Sequence, residues 1–428
     1  MSKNWMLKLV WQLLSIHKEI FAFPDQATTT RPDSSVRIIL FLDNSLPTPG
    51  APWTRISSFA KAFVAKRYDV DIIGIFSPKS LKEKGVKQLS NMNILNLVFK
   101  LSSNNPLLFL FNLVVSLITS TIILVVRRPR IAIVSFPNGD SSLGFLIACT
   151  VLRMKVVIDY RDEWEDQLIC ASKLSKKFYV LIKKVSIMFY RRACLVAAVT
   201  KPFAKALAKR GVMNIVYVPN GASCSSFKPL NRKPGKEFFT IVYSGGVGDY
   251  YRLDVVIKSL KVLADRGLNK IRLWMVGRGA IDSVLKYARQ LGVQDMVAYL
   301  GNKSNVQDLS KIIAEADAGI VPYDGNPLWM NTLPAKFFEY CACGLPIIAT
   351  AYKDSILAKL IYGNGIGLTT NPMDVNGLAD AIEKMFGDKE FRVNAGKTAR
   401  TLIEQHFDRD RISDEFVKIV CKIMNAHS

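Results

Sequence analysis

Residues 333–350, LPAKFFEYCACGLPIIAT, set one acidic side chain, Glu339, in an otherwise apolar helix that turns abruptly into a strand. Pro334 suits the first turn, where a missing N–H costs nothing. Phe337, Phe338 and Cys341 form the apolar side, Gly344 stops the helix, and PIIAT reads as a short buried strand. A carboxylate at the sheet end of such a helix is poised for ligand hydroxyls, although a Glu on a solvated face would show the same spacing. Upstream, Gly245, Gly246 and Gly248 follow a strand and precede a helix. Their amides and the helix terminus can cradle a diphosphate, though glycine also merely permits tight turns. A third group, Asp159, Arg161 and Asp162, ends the run KVVIDYRD. Carboxylates at the carboxyl end of a parallel strand sit where ligands bind in open α/β sheets, and one of them can serve as a general base. Arg161 can pair with a phosphate or orient its neighbours. A structural salt-bridge cluster is the other reading.

These groups need elements to hold them. From Val36 onward, VRIILFL, VDIIGIF, IAIVSF, KVVIDY, CLVAAVT and IVYV alternate with helical patterns. Short runs rich in branched residues predict a parallel sheet buried on both faces, with crossover helices. Between Lys228 and Lys236 a Pro, Lys and Gly cluster marks a linker. The alternation restarts with FTIVYSGG, IRLWMVGRG, MVAYLGN, AGIVPYDG and LPIIAT, a second unit of the same kind. The tail reads as two amphipathic helices broken around Phe407 and Asp408.

The pattern Pro334-x-Lys336-x-x-Glu339-x-x-Ala342-x-Gly344-x-Pro346 resembles the donor-site signature of family 4 glycosyltransferases, which have two Rossmann-like domains in the GT-B fold. The resemblance runs over roughly residues 36–425 and is strongest from Phe239 to Thr350. It implies that Glu339 holds the ribose of a nucleotide sugar. Eight residues earlier the family has a Glu that contacts the donor sugar; here Asn331 stands there, two residues before Leu333. The family's Arg and Lys that neutralise the leaving diphosphate fall at Gly246 and Tyr251, so Arg252 and Lys336 are expected to stabilise that growing charge instead. Gly277 and Gly279 resemble a turn beside the donor, and Gly301, Asn302 and Lys303 lie where the family reads the base. Residues 323–333 would cover the donor sugar, with Trp329 and Met330 either a lid or ordinary packing. Gly50 resembles the glycine of the loop that faces the acceptor. Asp159, Arg161, Asp162 and Trp164 are similar to a motif of the subgroup acting on lipid-linked acceptors. The three histidines, His17, His406 and His427, lie away from these carboxylates, so Asp159, Asp162 or Asp140 must supply any base the reaction needs. In a retaining reaction the departing phosphate serves instead.

Charge and hydropathy bear on partners. The chain has 428 residues and a formal net charge of +23; residues 1–230 hold 32 basic and 13 acidic side chains, which is +19 of that excess. No acidic residue lies between Asp166 and Glu237, while lysines and arginines crowd there. Such a field suits anionic lipid head groups, and no nucleic-acid motif accompanies it. Seven cysteines without paired spacing argue for a reducing compartment. Residues 1–24 carry Trp5, Leu9, Leu13, Ile16 and Ile20 at helical spacing, an amphipathic helix that would lie in the membrane surface or dock on the protein. Pro106 to Val126 has no charged residue and is followed by Arg127, Arg128 and Arg130. Its length would span a bilayer, yet strands before and after it belong to one sheet in this reading. The expectation is a helix, or a hairpin broken near Thr119, Ser120 and Thr121, that dips into one leaflet; a buried core helix is the alternative.

Together these readings predict an α/β chain of the GT-B fold, two Rossmann-like domains with parallel sheets facing a central cleft. The boundaries expected are an amphipathic segment at 1–35, an acceptor domain at 36–228 with a membrane-dipping segment at 106–126, a donor domain at 237–405, and a C-terminal helix at 406–428 returning to the first domain. The function implied is a glycosyltransferase on the cytoplasmic face of a membrane, peripheral or monotopic. It would move a sugar from a nucleotide diphosphate sugar to a lipid-linked or glycan acceptor in polysaccharide or glycoconjugate assembly, without metal or cofactor and without nucleic acid as partner. A nucleotide-sugar epimerase of the same fold, or a non-catalytic partner that binds a lipid glycan, are the rival readings.

Overall fold

The structure is a computed structural model that describes residues 36–43, 50–76, 87–89, 92–98, 105–136, 139–171, 176–230, 237–248, 251–303 and 305–426. The amphipathic helix expected within residues 1–35 lies outside them. The chain forms two compact units, one of residues 1–217 with 414–428, the other of residues 218–413.

In the first unit β1 (Arg37–Asp43), α1 (Ala51–Ala65), β2 (Asp69–Phe76), β3 (Lys87–Leu89), β4 (Met92–Val98), α2 (Pro106–Arg127), β5 (Ile131–Phe136), α3 (Gly139–Val151), β6 (Val156–Tyr160), α4 (Trp164–Ala171), α5 (Lys176–Arg192), β7 (Leu195–Ala198), α6 (Lys201–Lys209) and β8 (Ile215–Tyr217) follow in order. The sheet runs β3-β4-β2-β1-β5-β6-β7-β8 and is parallel except for β3, which pairs antiparallel with β4. The strands β5, β6 and β7 are buried at every position, as continuous apolar runs covered on both faces must be. Strands β3 and β4 were not foreseen: MNILNLV interrupts its apolar residues with two asparagines, and in a loop-like setting that reads as polar.

Residues 106–127 form one unbroken helix. Asn105 caps it, its side chain accepting from the Leu108 N–H at 2.9 Å, and Pro106 fills a first-turn position. Thr119 and Thr121 do not break it. Their hydroxyls donate back to the carbonyls of Val115 and Leu117, at 2.8 and 2.7 Å, which satisfies them without opening the ladder. Arg128, in the left-handed region at φ 47°, ends it.

In the second unit β9 (Phe239–Val247), α7 (Leu253–Asp265), β10 (Ile271–Gly279), α8 (Ile281–Gln290), β11 (Val297–Tyr299), α9 (Val306–Glu315), β12 (Ala318–Pro322), α10 (Ala335–Ala342), β13 (Ile347–Thr350), α11 (Ile356–Gly363), β14 (Gly367–Thr370), α12 (Val375–Gly387) and α13 (Lys389–Leu402) build a parallel sheet of order β11-β10-β9-β12-β13-β14. A short π turn, Ile403–Phe407, precedes α14 (Arg409–Asn425). That helix starts in the second unit, and its residues from Asp414 onward belong to the first. There Phe416 packs on Phe59 with ring centres 4.3 Å apart and planes tilted by 36°, and Lys155 Nζ donates to the carbonyls of Ile423 and Met424.

Candidate functional site

In the second unit the site begins at the end of β9. The expectation of a glycine loop leading straight into a helix is corrected here: β9 runs on through Gly245 and Gly246 to Val247, and α7 starts only at Leu253. Gly245 and Gly246 are exposed while the strand before them is buried. Their neighbour β10 pairs Gly277 with Gly245 and Gly279 with Val247. Gly277, at φ +142°, is required there, because a Cβ would meet the Gly245 carbonyl oxygen at 1.9 Å. Its role is therefore close backbone approach between two strands, at an end where, alongside Gly245, Gly246, Gly277 and Gly279, only Val247 and Arg278 carry side chains.

Helix α10 supplies the charges. Pro334 precedes it as the capping residue rather than sitting in its first turn, and Gly344, at φ +70°, follows its end. Tyr340 pins it, its hydroxyl accepting from the Ser244 N–H at 2.7 Å while its ring fills the space a side chain at Gly319 would need. One turn earlier Lys336 runs under the glycines, with Cε and Nζ each 3.4 Å from where a Gly245 Cβ would stand. The ammonium is buried and makes no hydrogen bond. It rests instead on two aromatic faces, 3.5 Å from the Tyr251 ring centre and 3.8 Å from that of Tyr243. Burial pulls its pKa well below the usual lysine value, against the raising effect of the Glu339 charge. Glu339, three residues on, is half-buried and has no hydrogen-bond partner among the described residues. Its pKa is raised by burial, with Arg409 and Lys336 opposing.

A stack of rings closes this side. Tyr251, Tyr323 and Trp329 lie parallel at 5.5 and 5.1 Å, and the Trp329 indole N–H donates to Asp324. Trp329 is thus packed within its own loop. Asn331 and Leu333 lie half-buried between it and α10. The sequence reading noted Tyr251 only as the absence of a lysine; its service as the seat of Lys336 was missed, because the two lie 85 positions apart and no local pattern joins them.

Arg252 departs from expectation. It forks onto Asp254 with two contacts of 2.7 Å at the start of α7, so its guanidinium is already matched to a carboxylate. With Val247, Gly248, Tyr251, Lys286 and Tyr287 it lines a cavity of about 680 Å³ whose walls do not include Lys336 or Glu339. Among the described residues, no group of three His, Cys, Asp or Glu side chains could hold a metal ion.

In the first unit Asp159 is fully buried. It receives Arg55 Nε at 3.0 Å and Nη2 at 2.8 Å, and Ser135 Oγ at 2.9 Å. A carboxylate so engaged is a tie between α1, β5 and β6 and not a base awaiting a proton. Arg161 is 7% exposed, with its Nε 4.0 Å from an Asp159 carboxylate oxygen. Asp162 is the remaining candidate base: burial raises its pKa, with Arg161 opposing and Asp159 adding to the rise. Asp140 is also committed. It accepts from Asn112 Nδ2 at 2.7 Å and from the Ser141 N–H, which fastens α2 to α3. Gly50 caps α1, its carbonyl accepting from the Thr54 N–H. Arg55 was missed by the sequence reading. Arg55 at the head of the helical run RISSFAKAF was the available signal, since a buried guanidinium demands an acid.

These features define an α/β protein of the GT-B type. Two solved structures share the architecture: sucrose-phosphate synthase from Thermosynechococcus elongatus, at TM-score 0.69 and 18% identity, covering 91% of this chain and all of that one, and Anabaena HepE in complex with UDP, at TM-score 0.61 and 16% identity, covering 90% and 99%. Residues 227–402, all within the second unit, match the family model described as Glycosyl transferases group 1. Curated relatives include the N-acetyl-alpha-D-glucosaminyl L-malate synthase of Bacillus anthracis, 25% identical over 36% of this chain and 38% of that protein. TuaH of Bacillus subtilis (strain 168), a protein named for a role in teichuronic acid biosynthesis, is 22% identical over 58% of this chain and 63% of its own length. The alignments thus span less than two thirds of either relative.

Proposed function

We propose that the protein is a membrane-associated, metal-independent glycosyltransferase of polysaccharide or glycoconjugate assembly, which takes its sugar from a nucleotide diphosphate sugar and passes it to a lipid-linked or glycan acceptor at the cytoplasmic face. The observation that carries this reading is the Lys336 ammonium, buried and without a hydrogen bond beneath the exposed Gly245. A buried cation lacking an acceptor is costly, and a diphosphate seated on the glycines would relieve that cost. Glu339, one turn further along the same helix, would accept from ribose hydroxyls in this reading. As the sugar–phosphate bond breaks, negative charge grows on the departing diphosphate and Lys336 stabilises it. Asp162 is the group in the first unit left to take a proton from an acceptor hydroxyl. The domain family, the UDP held by a protein of the same fold and the teichuronic acid role in the name of one relative support the reading.

The test is transfer from a panel of labelled nucleotide sugars by membranes containing the protein. Transfer that Glu339→Ala abolishes supports the reading. Donor binding without transfer under every acceptor tried would instead favour a non-catalytic partner.

A further inference from the structure

We infer that α2 lies flat in one leaflet of an anionic membrane, its exposed edge embedded along the whole length of the helix and α5 beside it meeting the head groups. This rests on the membrane part of the reading above and adds the orientation and the element responsible.

Helix α2 reverses the usual distribution of a surface helix. Leu107, Leu110, Val114, Ile118, Ile122 and Val125 are 41–79% exposed, whereas Asn112, Ser116, Thr119 and Ser120 are buried. Steps of three and four residues keep the exposed set on one edge from the first turn to the last. The opposite edge is held to the protein by polar contacts: Asn112 to Asp140 at 2.7 Å, and Ser116 Oγ to the Ser141 carbonyl at 2.7 Å. With 22 residues the helix is roughly 33 Å long and apolar enough to cross a bilayer. Crossing would cost it these contacts, since α2 is the connection between β4 and β5 of a single sheet. Turned on end, it would leave Asn112 in hydrocarbon and Asp140 without that donor. Lying flat, it keeps every contact and still takes the apolar edge out of water.

Charge decides the occupant. The Phe109 ring meets those of Phe178 and Tyr179 at 5.7 and 5.9 Å, which sets the start of α5 beside α2. Helix α5 exposes Lys176, Lys177, Lys184, Arg191 and Arg192 together with Leu181 and Met188, and Arg128 and Arg130 are exposed beyond the end of α2. Basic groups around an apolar edge fit an anionic bilayer surface. A second copy docking through the same patch about a two-fold axis would set positive surface against positive surface.

The experiment uses the full chain with vesicles of phosphatidylglycerol and phosphatidylcholine. Spin labels go on cysteines introduced singly at Leu107, Ile118 and Val125, with the exposed Cys170 replaced by Ser. Equal depth at all three positions is expected. Leu110→Lys with Ile118→Lys should weaken vesicle binding ~10-fold or more while thermal unfolding and UDP binding stay unchanged, and Lys177→Glu with Lys184→Glu should remove the preference for phosphatidylglycerol. Binding with Ile118 at mid-bilayer and the two ends at its surfaces overturns the flat orientation but leaves the membrane reading standing. A chain that ignores the vesicles sinks both. A dimer that the Lys pair dissociates, with vesicle binding unchanged, assigns the edge to a second copy and overturns the inference.

Discussion

The ammonium of Lys336 sits 3.5 Å from the centre of the Tyr251 ring and has no hydrogen-bond acceptor. A cation held only by aromatic faces is incompletely compensated, and burial holds its pKa well below the ordinary 10.5. The lowered folded-state pKa means that the folded chain binds fewer protons here than the unfolded one, so stability is lost as pH falls through that folded value. A diphosphate beside Nζ would raise that pKa again and hold the side chain charged. UDP binding is therefore expected to take up a proton at pH values above the lowered pKa, seen as a binding enthalpy that changes with the ionisation heat of the buffer. Lys336→Met should abolish that dependence and weaken UDP on the order of 10- to 100-fold. Identical enthalpies in all buffers would count against this account.

Two glycines at the same strand ends should separate architecture from binding. Gly277→Ala forces a Cβ to within 1.9 Å of the Gly245 carbonyl oxygen at a φ of +142°, and is expected to destabilise by ~1–3 kcal/mol or more. Gly246 has nothing within 4 Å of where its Cβ would stand. Gly246→Ala should leave thermal unfolding within about 0.5 kcal/mol of wild type and raise the KM for the donor. An unchanged donor KM would remove Gly246 from the site.

Asp159 should behave as a structural tie. Asp159→Ala leaves the buried Arg55 guanidinium without its carboxylate, an expected loss of ~3–5 kcal/mol. Replacing both, Arg55→Met with Asp159→Leu, should recover most of that loss and retain transfer. A double variant that folds with native stability yet transfers nothing would return Asp159 to the list of catalytic groups.

Glu165 predicts a pH signature within the first unit. Tyr160 and Tyr190 hydroxyls donate to its two oxygens at 3.1 and 2.8 Å, and burial pushes its pKa up to about 7 from 4.5. The raised value means the folded state binds the proton more readily, so its contribution to stability falls as pH rises from about 4.5 to about 7. Relative to Glu165→Gln, the wild type should gain up to about 3 kcal/mol on lowering pH across that window. Parallel pH profiles of the unfolding midpoint would refute this.

What the sequence made legible was whatever local pattern controls. Branched apolar runs marked β1, β2, β5 and β6, because a strand buried on both faces has no polar register to hide it. The pair Gly344 and Glu339 was readable because a stop signal and a lone acid each act within one turn. Contacts between distant positions were not readable. Arg55 meets Asp159 across 104 positions, and Lys336 finds the Tyr251 ring across 85. Hydropathy marked α2 as unusual but gave no direction to its polar residues. The contact of Asn112 with Asp140 fixes which edge faces inward.

The closing residues of the chain set an order of events. Residues 414–428 belong to the first unit, where Phe416 covers Phe59 and the last carbonyls of α14 receive Lys155. On the ribosome, then, the later-made second unit can be finished while the earlier-made one still waits for its final helix. A chain cut after Ser413 would hold a complete second unit and a first unit whose Phe59 lacks the Phe416 ring, a partly folded state with exposed apolar surface.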